Sequence, residues 1–298
     1  MQANSTSMRA FTIKSIIILA SFLPLRFAHM IGAIFGYLLL LFPNKSKQIA
    51  AKNIALCFPN LAKQQQYDLL KQTLIETGKT GIETGALWFW DKKQLFQLIK
   101  KTSGEQRFLA ALGKKGVIIL APHLGAWELV GLYCASKGPM VSLYRPPRLE
   151  ALDSFTRHAR QRFGATLVPT NAKGVKTLYA TVRDKYMIGI LPDQDAGRSG
   201  NVFAPFFGIP ASTMTLLSRL ARKSGAEVII VYAERLPKGQ GFHLHFIPAP
   251  ENTAHNDPTI AAIALNEGIE QCVRSTPAQY QWIYKRFKTR LEGEIKFY

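Results

Sequence analysis

Acidic side chains are scarce: 19 Asp and Glu stand against 38 Lys and Arg, leaving a formal net charge of +19 over 298 residues. So basic a surface calls for a polyanionic partner, whether nucleic acid, an anionic membrane or an acidic protein. Cysteine is nearly absent. Cys57, Cys134 and Cys272 lie far apart with no CxxC spacing, which excludes a disulfide framework or a cysteine zinc site and leaves reduced, mostly buried thiols in a cytosol-facing protein. No GxSxG elbow occurs, which weighs against a serine esterase. No helix-turn-helix, zinc or RNP-type motif accompanies the charge, so nucleic acid is the least favoured of the anions. No repeat and no low-complexity linker divides the chain after residue 45.

An uninterrupted apolar run of 18–20 residues, the requirement for a clean transmembrane helix, is also missing. Residues 16–25 carry no charge, Arg26 and His29 interrupt, and residues 30–42 resume, with Pro24 at the break. Nothing resembles a small-x-small cleavage site, so a removed signal peptide is not expected. Residues 11–42 either span a bilayer once with a kink or lie partly sunk in one leaflet; a buried hairpin is the soluble alternative. Lys45, Lys47 and Lys52 follow the apolar stretch and place the main body on the cytoplasmic side. The expected organisation is a membrane anchor over residues 1–43 and one α/β domain over residues 44–298.

What is present is alternation. Apolar runs at 117–121, 140–144, 166–169, 186–191, 228–234 and 242–247 read as strands. Helical spacing occurs at 45–56, 63–85, 126–137, 149–163, 175–183 and 257–275, with two further helical pieces over 95–112. Strands interleaved with helices predict an α/β fold, a mostly parallel central sheet flanked by helices.

Residues 116–129, GVIILAPHLGAWEL, carry the first chemistry. Pro122 ends a buried strand, His123 follows in a turn, and a helix begins near Ala126. Residues five apart on one helix point about 140° away from each other. Glu128 therefore meets His123 only if the histidine stays in the turn and Glu128 enters the first helical turn. A carboxylate beside a histidine fixes its tautomer and makes a general base; equally, His123 caps a loop and Glu128 favours a helix N-terminus. A second strand ends the same way, in Pro192-Asp193-Gln194-Asp195. Sites in open α/β sheets gather at the carboxyl ends of strands, so Asp193 and Asp195 are expected to face the same cleft. With no His or Cys beside them, they are read as orienting an arginine and not as metal ligands. Residues 202–210, VFAPFFGIP, read as an apolar loop lining a pocket or as core, and Trp88-Phe89-Trp90 as core or as a membrane-interface or acyl contact.

These motifs occur in a fixed order: HxxxxE (His123, Glu128), YRP at 144–146, an arginine helix ending Arg160-Gln161-Arg162, PDQDAG at 192–197, VFAPFFGIPA at 202–211 and QWIYKRFKTR at 281–290. CFPN at 57–60 and ETGALWFW at 83–90 accompany them. The set, spanning nearly the whole chain, resembles the late acyltransferases of lipid A biosynthesis, the lauroyl/myristoyl transferase family of Gram-negative bacteria. The resemblance implies a glycerolipid-acyltransferase-like fold on the cytoplasmic face of the inner membrane. It implies an acyl thioester donor on the phosphopantetheine of acyl carrier protein, a hydroxyl acceptor on a lipid A precursor, and no metal or other cofactor. His123 would take the hydroxyl proton, Glu128 would hold His123, and Arg160, positioned by Asp193, would face the oxyanion. Arg145, Asp195 and Arg286 are the expected substrate contacts, with Arg148, Lys285, Lys288 and Arg290 as further cations toward phosphates, carrier protein or leaflet. Two rivals are the same chemistry on an aminolipid or glycolipid, and a lipid ester hydrolase.

Overall fold

The computed structural model describes the backbone of residues 2–298 and side chains from residue 8 onward. Five helices come first: α1 (Gln2–Ala20), α2 (Leu25–Leu41), α3 (Lys45–Cys57), α4 (Lys63–Phe89) and α5 (Lys92–Gln97). The body follows as β1 (Ile99–Ser103), α6 (Glu105–Ala111), β2 (Val117–Leu120), α7 (Trp127–Ala135), β3 (Met140–Tyr144), α8 (Asp153–Gln161) and β4 (Ala165–Pro169). It continues through α9 (Ala172–Arg183), β5 (Met187–Ile190), β6 (Asn201–Phe206), β7 (Ile209–Met214), α10 (Leu216–Ser224), β8 (Glu227–Arg235), β9 (Phe242–Pro248) and α11 (Pro258–Ser275).

Seven strands form one sheet in the order β1-β9-β8-β2-β5-β3-β4. The five from β8 to β4 are parallel; β9 runs against β8, and β1 runs parallel to β9. The expected mostly parallel α/β sheet is therefore present, with two strands reversed at one end. β2 reads VIIL and β5 reads MIGI, and every residue of both is buried, as strands covered on both faces must be. Ile118, Ile188 and Ile230 pack into the core beneath α9, α10 and α11, while Val117, Ile119 and Val231 pack into the opposite core with α6 and α7.

Three segments differ from their expectation. Residues 95–112 hold strand β1 between two helices, because the IKKTS run is a polar edge strand whose period-2 pattern is hidden by lysines. Residues 202–210 are no loop: they sit in the antiparallel β6–β7 hairpin, with Ala204, Phe206 and Ala211 buried in the core. Helix α10, not expected from the sequence, follows directly.

The apolar N-terminal stretch is two helices broken at residues 21–24, where Pro24 carries extended backbone. Among the described residues no single helix is long and apolar enough to cross a membrane; only α2 with α3 passes by length and composition, and that pair is bent by 83°. α2 buries Leu25, Ala28, His29, Gly32, Gly36 and Leu40, a stripe at helical spacing that lies on α4. A Cβ on Gly36 would stand 2.3 Å from the Leu74 carbonyl oxygen, and one on Gly78 would stand 2.0 Å from that of Gly32. Only glycine lets these backbones approach so closely. The other side of α1 and α2 exposes Phe11, Leu19, Phe27, Ile34, Phe35 and Leu41, joined by Phe22 in the break and Phe42 after α2.

Candidate active site

β2 and β5 are adjacent and parallel, with Leu120 opposite Ile190. His123 and Asp193 each stand three residues beyond that last pair, after Pro122 and Pro192, so the register delivers them to one spot. Asp193 accepts the His123 backbone N–H on one oxygen and Nδ1–H on the other, both at 2.8 Å. Asp193 is only 2% exposed. Burial acts to raise its carboxyl pKa, but the charge of His123 and the hydrogen bonds from its ring and backbone prevail, and the net shift is downward. An ionised carboxylate only accepts, so Nδ1 carries a proton, and in the neutral imidazole the Nε2 lone pair faces outward. The side-chain amide of Gln194 lies 3.2 Å from Nε2 and donates to it.

The turn is clamped from three sides. Ala126 donates its N–H to the Ala233 carbonyl at 2.8 Å, Gly125 donates to Gln279 at 3.0 Å, and Gln281 donates to the His123 carbonyl at 3.0 Å. Gly125 has a φ of +61°, and a Cβ there would meet the Ala233 oxygen at 2.0 Å, so only glycine serves. Below the turn, Arg235 donates to the Gly125 carbonyl at 3.0 Å and forms a buried ion pair with Glu83, which also bonds His29 Nε2 at 2.8 Å. Burial acts to raise the Glu83 carboxyl, but Arg235 and His29 together bring it down to about 2. α2, α4, β8 and the histidine turn are thus joined through one charged cluster.

Glu128 does not hold His123. It enters the first turn of α7 as expected, but both of its oxygens turn to Arg160 on α8, at 2.6 Å from Nη2 and 3.0 Å from Nε. The expected pairings are exchanged: Asp193 takes His123 and Glu128 takes Arg160. The reason is register, since β5 places its carboxylate directly beside the histidine, while α7 carries Glu128 over the sheet toward α8. Burial acts to lower the Arg160 guanidinium, the facing Glu128 charge raises it, and the net shift is upward.

Two expected substrate contacts are spent inside the protein. Arg286 is 3% exposed and donates to the Ser212 carbonyl at 2.7 Å and to Thr213 Oγ1 at 3.1 Å, because the C-terminal segment runs beneath the β6–β7 hairpin. Asp195 accepts from the Thr289 N–H at 3.2 Å and from its hydroxyl at 2.9 Å, fastening the same segment. Arg290 donates to the Pro210 carbonyl. Arg145, by contrast, leaves the end of β3 into open space. With Arg148, Lys285 and Lys288 it lines a cleft of about 890 Å³ that also reaches Gln194. The three cysteines are free and buried, and burial pushes their thiols up, that of Cys272 to about 12.

Three further clefts meet around the site. One of about 220 Å³ exposes His123 between α4 and residues 279–283. A second, of about 540 Å³, is walled by Ile13, Ile16 and Ile17 of α1, by Trp88, and by Glu128, Arg145 and Arg160. The third is a narrow apolar slot under α7, lined by Ile119, Val130, Gly131, Leu143, Leu167 and Gly189, with Glu128 and Arg160 at its edge. Trp127 divides the first from the third. Its ring centroid is 4.8 Å from that of His123, and its indole N–H is buried with no partner among the described residues. Sequence reasoning missed Trp127, Gln194 and Arg235. Trp127 and Gln194 adjoin flagged residues, so adjacency was their only signal; Arg235 ends an ordinary strand and gave none.

The family model described as bacterial lipid A biosynthesis acyltransferase matches residues 5–289. The lipid A biosynthesis lauroyltransferase of Escherichia coli (strain K12) is 28% identical over 272 residues, covering 91% of this chain and 88% of its own. The lipid A biosynthesis palmitoleoyltransferase of the same organism is 28% identical over 277 residues, covering 93% and 90%. Its lipid A biosynthesis myristoyltransferase is 26% identical over 254 residues, covering 85% and 78%.

Proposed function

The chain belongs to the family of bacterial lipid A biosynthesis acyltransferases and transfers acyl groups, and we propose that it moves a fatty acyl chain from acyl carrier protein to a hydroxyl of a lipid A precursor. The observation that carries this reading is the Asp193-bound His123, with Nε2 turned to the cleft and an apolar slot beside it. The acceptor hydroxyl displaces Gln194, hydrogen-bonds to Nε2, and loses its proton to it while attacking the thioester carbonyl. Asp193 fixes the reactive tautomer and stabilises the imidazolium. The tetrahedral oxyanion needs donors; the unpartnered Trp127 N–H and the Arg160 guanidinium border the place where it forms. Collapse expels the carrier-protein thiolate, which takes the proton back from His123, so no acyl-enzyme is required. The acyl tail lies in the slot under α7. Arg145, Arg148, Lys285 and Lys288 supply cations for the acceptor phosphates or the acidic carrier protein.

The exposed apolar side of α1 and α2 supports attachment to the cytoplasmic leaflet of the inner membrane. A patch of that extent is rare on a soluble monomer. α1 has 19 residues and α2 has 17, about 28 and 25 Å of helix against roughly 30 Å of hydrocarbon, and among the described residues neither is both long and apolar enough to cross; this favours the two helices lying in one leaflet. The α1-walled cleft then opens toward the lipid. Flotation with vesicles of phosphatidylethanolamine and phosphatidylglycerol checks this: the double variant Phe22→Asp, Phe35→Asp is expected in the soluble fraction, and its retention on vesicles rejects the leaflet reading.

Mass spectrometry of lipid A from a host with and without the protein, beside His123→Ala, tests the function. A gain of one acyl mass, absent in the variant, is expected. A shift in an aminolipid or glycolipid instead moves the acceptor, and loss of acyl mass establishes a hydrolase.

A further inference from the structure

Away from the histidine turn, β8 and β9 converge two imidazoles and a carboxylate. In the antiparallel ladder Glu234 lies opposite His243 and Tyr232 opposite His245. Side chains two apart on a strand share a face, so His243, His245 and Glu234 all project to one side. Glu234 Oε2 is 2.9 Å from His245 Nε2 and 3.8 Å from His243 Nδ1, and the three ligand atoms lie within 4.8 Å of one another. All three residues are partly shielded from solvent.

We propose that Glu234, His243 and His245 bind one divalent transition-metal ion of the zinc class. Zinc bonds of about 2.0–2.1 Å at tetrahedral angles put neighbouring ligand atoms about 3.3 Å apart. The observed 2.9 and 3.8 Å bracket that spacing, and the His243 and His245 rings, whose centroids stand 3.7 Å apart, spread as both nitrogens turn to one ion. Two imidazoles and one carboxylate suit zinc or another late divalent metal better than magnesium or calcium. The supporting contacts point the same way. His243 Nε2 is hydrogen-bonded to Ser103 Oγ at 2.8 Å; with the ring proton on Nε2 toward that hydroxyl, Nδ1 is the ligand nitrogen, and this outer partner fixes the ring. The Tyr232 ring stacks on His245 at 4.4 Å and 6°, fixing the second. Binding displaces the Nε2 proton that His245 shares with Glu234 and releases it to solvent. Lys101, opposite His243 across the β1–β9 ladder, is exposed and free to turn into water.

The ion would join β8 to β9 and, through Ser103, to β1. Glu234 sits between Ala233 and Arg235, two of the residues that hold the histidine turn, so the staple stiffens that support without touching the reacting atoms.

The test uses the untagged, full-length protein in detergent, stripped with EDTA and dialysed against zinc chloride. The wild type is expected to retain about one zinc per chain and the pair His243→Ala, His245→Ala less than about 0.1. The thermal midpoint of the wild type should rise with zinc concentration, by mass action on the folded state. The shape-preserving Glu234→Gln should weaken retention at least about 10-fold and serves if the double variant does not fold. Cobalt substituted for zinc should give the intense visible bands of a tetrahedral site. Equal zinc retention by wild type and Glu234→Gln, or a midpoint indifferent to zinc, overturns the proposal. Acyl transfer by the stripped enzyme is read separately: it should fall less than about 2-fold, since no ligand belongs to the catalytic turn.

Discussion

A histidine needs a carboxylate on the correct nitrogen, and in this protein the carboxylate comes from a different strand end than the HxxxxE spacing indicates. Asp193 and Glu128 can be separated by experiment. Asp193→Asn removes the charge that stabilises the imidazolium and permits the wrong tautomer, so kcat should fall about 100- to 10,000-fold. Its kcat–pH profile should change shape, because the carboxylate bonded to His123 Nδ1 is replaced by a neutral amide. Glu128→Gln weakens the hold on Arg160 and should lower kcat while leaving the shape of that profile intact. If the profile moves with Glu128 and not with Asp193, the assignment of His123 to Asp193 is wrong. Trp127→Phe keeps the ring against His123 and deletes only the N–H. A fall of about 100-fold in kcat at unchanged KM is expected if that donor meets the oxyanion, and an unchanged kcat assigns the role to Arg160.

Helix α7 does two jobs. Its first turn carries Trp127 and Glu128, and its middle roofs the apolar slot. Gly131 is the weak point of that roof: nothing lies within 4 Å of the position its Cβ would take, so a side chain there enters the slot without striking backbone. Gly131→Ala should stabilise the protein by about 0.5–1 kcal/mol through helix propensity. Gly131→Phe should fold yet fill the slot, shifting donor preference toward shorter acyl chains in competition assays with acyl carrier proteins of mixed chain length. An unaltered preference would place the acyl tail elsewhere.

Across the molecule, the buried cluster His29–Glu83–Arg235 ties the N-terminal helices to the sheet and the histidine turn. Glu83 has its pKa lowered from 4.5 to about 2. A depressed carboxylate contributes stability fully above its unfolded pKa and loses it as pH falls through the folded value. Stability should therefore decline between about pH 4.5 and 2, read as the urea midpoint at successive pH values. Glu83→Gln should lower the midpoint at neutral pH and flatten its acid slope; an unchanged slope would show that Glu83 is not the group responsible. The same cluster makes removal of residues 1–43 a poor test of membrane binding: it would strip a packed face from α4 and take His29 from Glu83.

Local chemistry is written in linear order, and the sequence conveys it well. Proline after an apolar run marks the ends of β2 and β5, helical spacing gives most of the helices, Pro24 marks the break between α1 and α2, and alternation gives the parallel sheet. Those features depend on residues within a few positions of one another. Which strands become neighbours does not. His123 meets Asp193, 70 positions away, because β2 pairs with β5 in a register that carries both to the same height. Arg286 is buried because the tail passes under a hairpin, and the polar strand β1 exists because β9 offers it a ladder. Burial and long-range pairing arise from the whole chain packing at once, so no window of the sequence contains them.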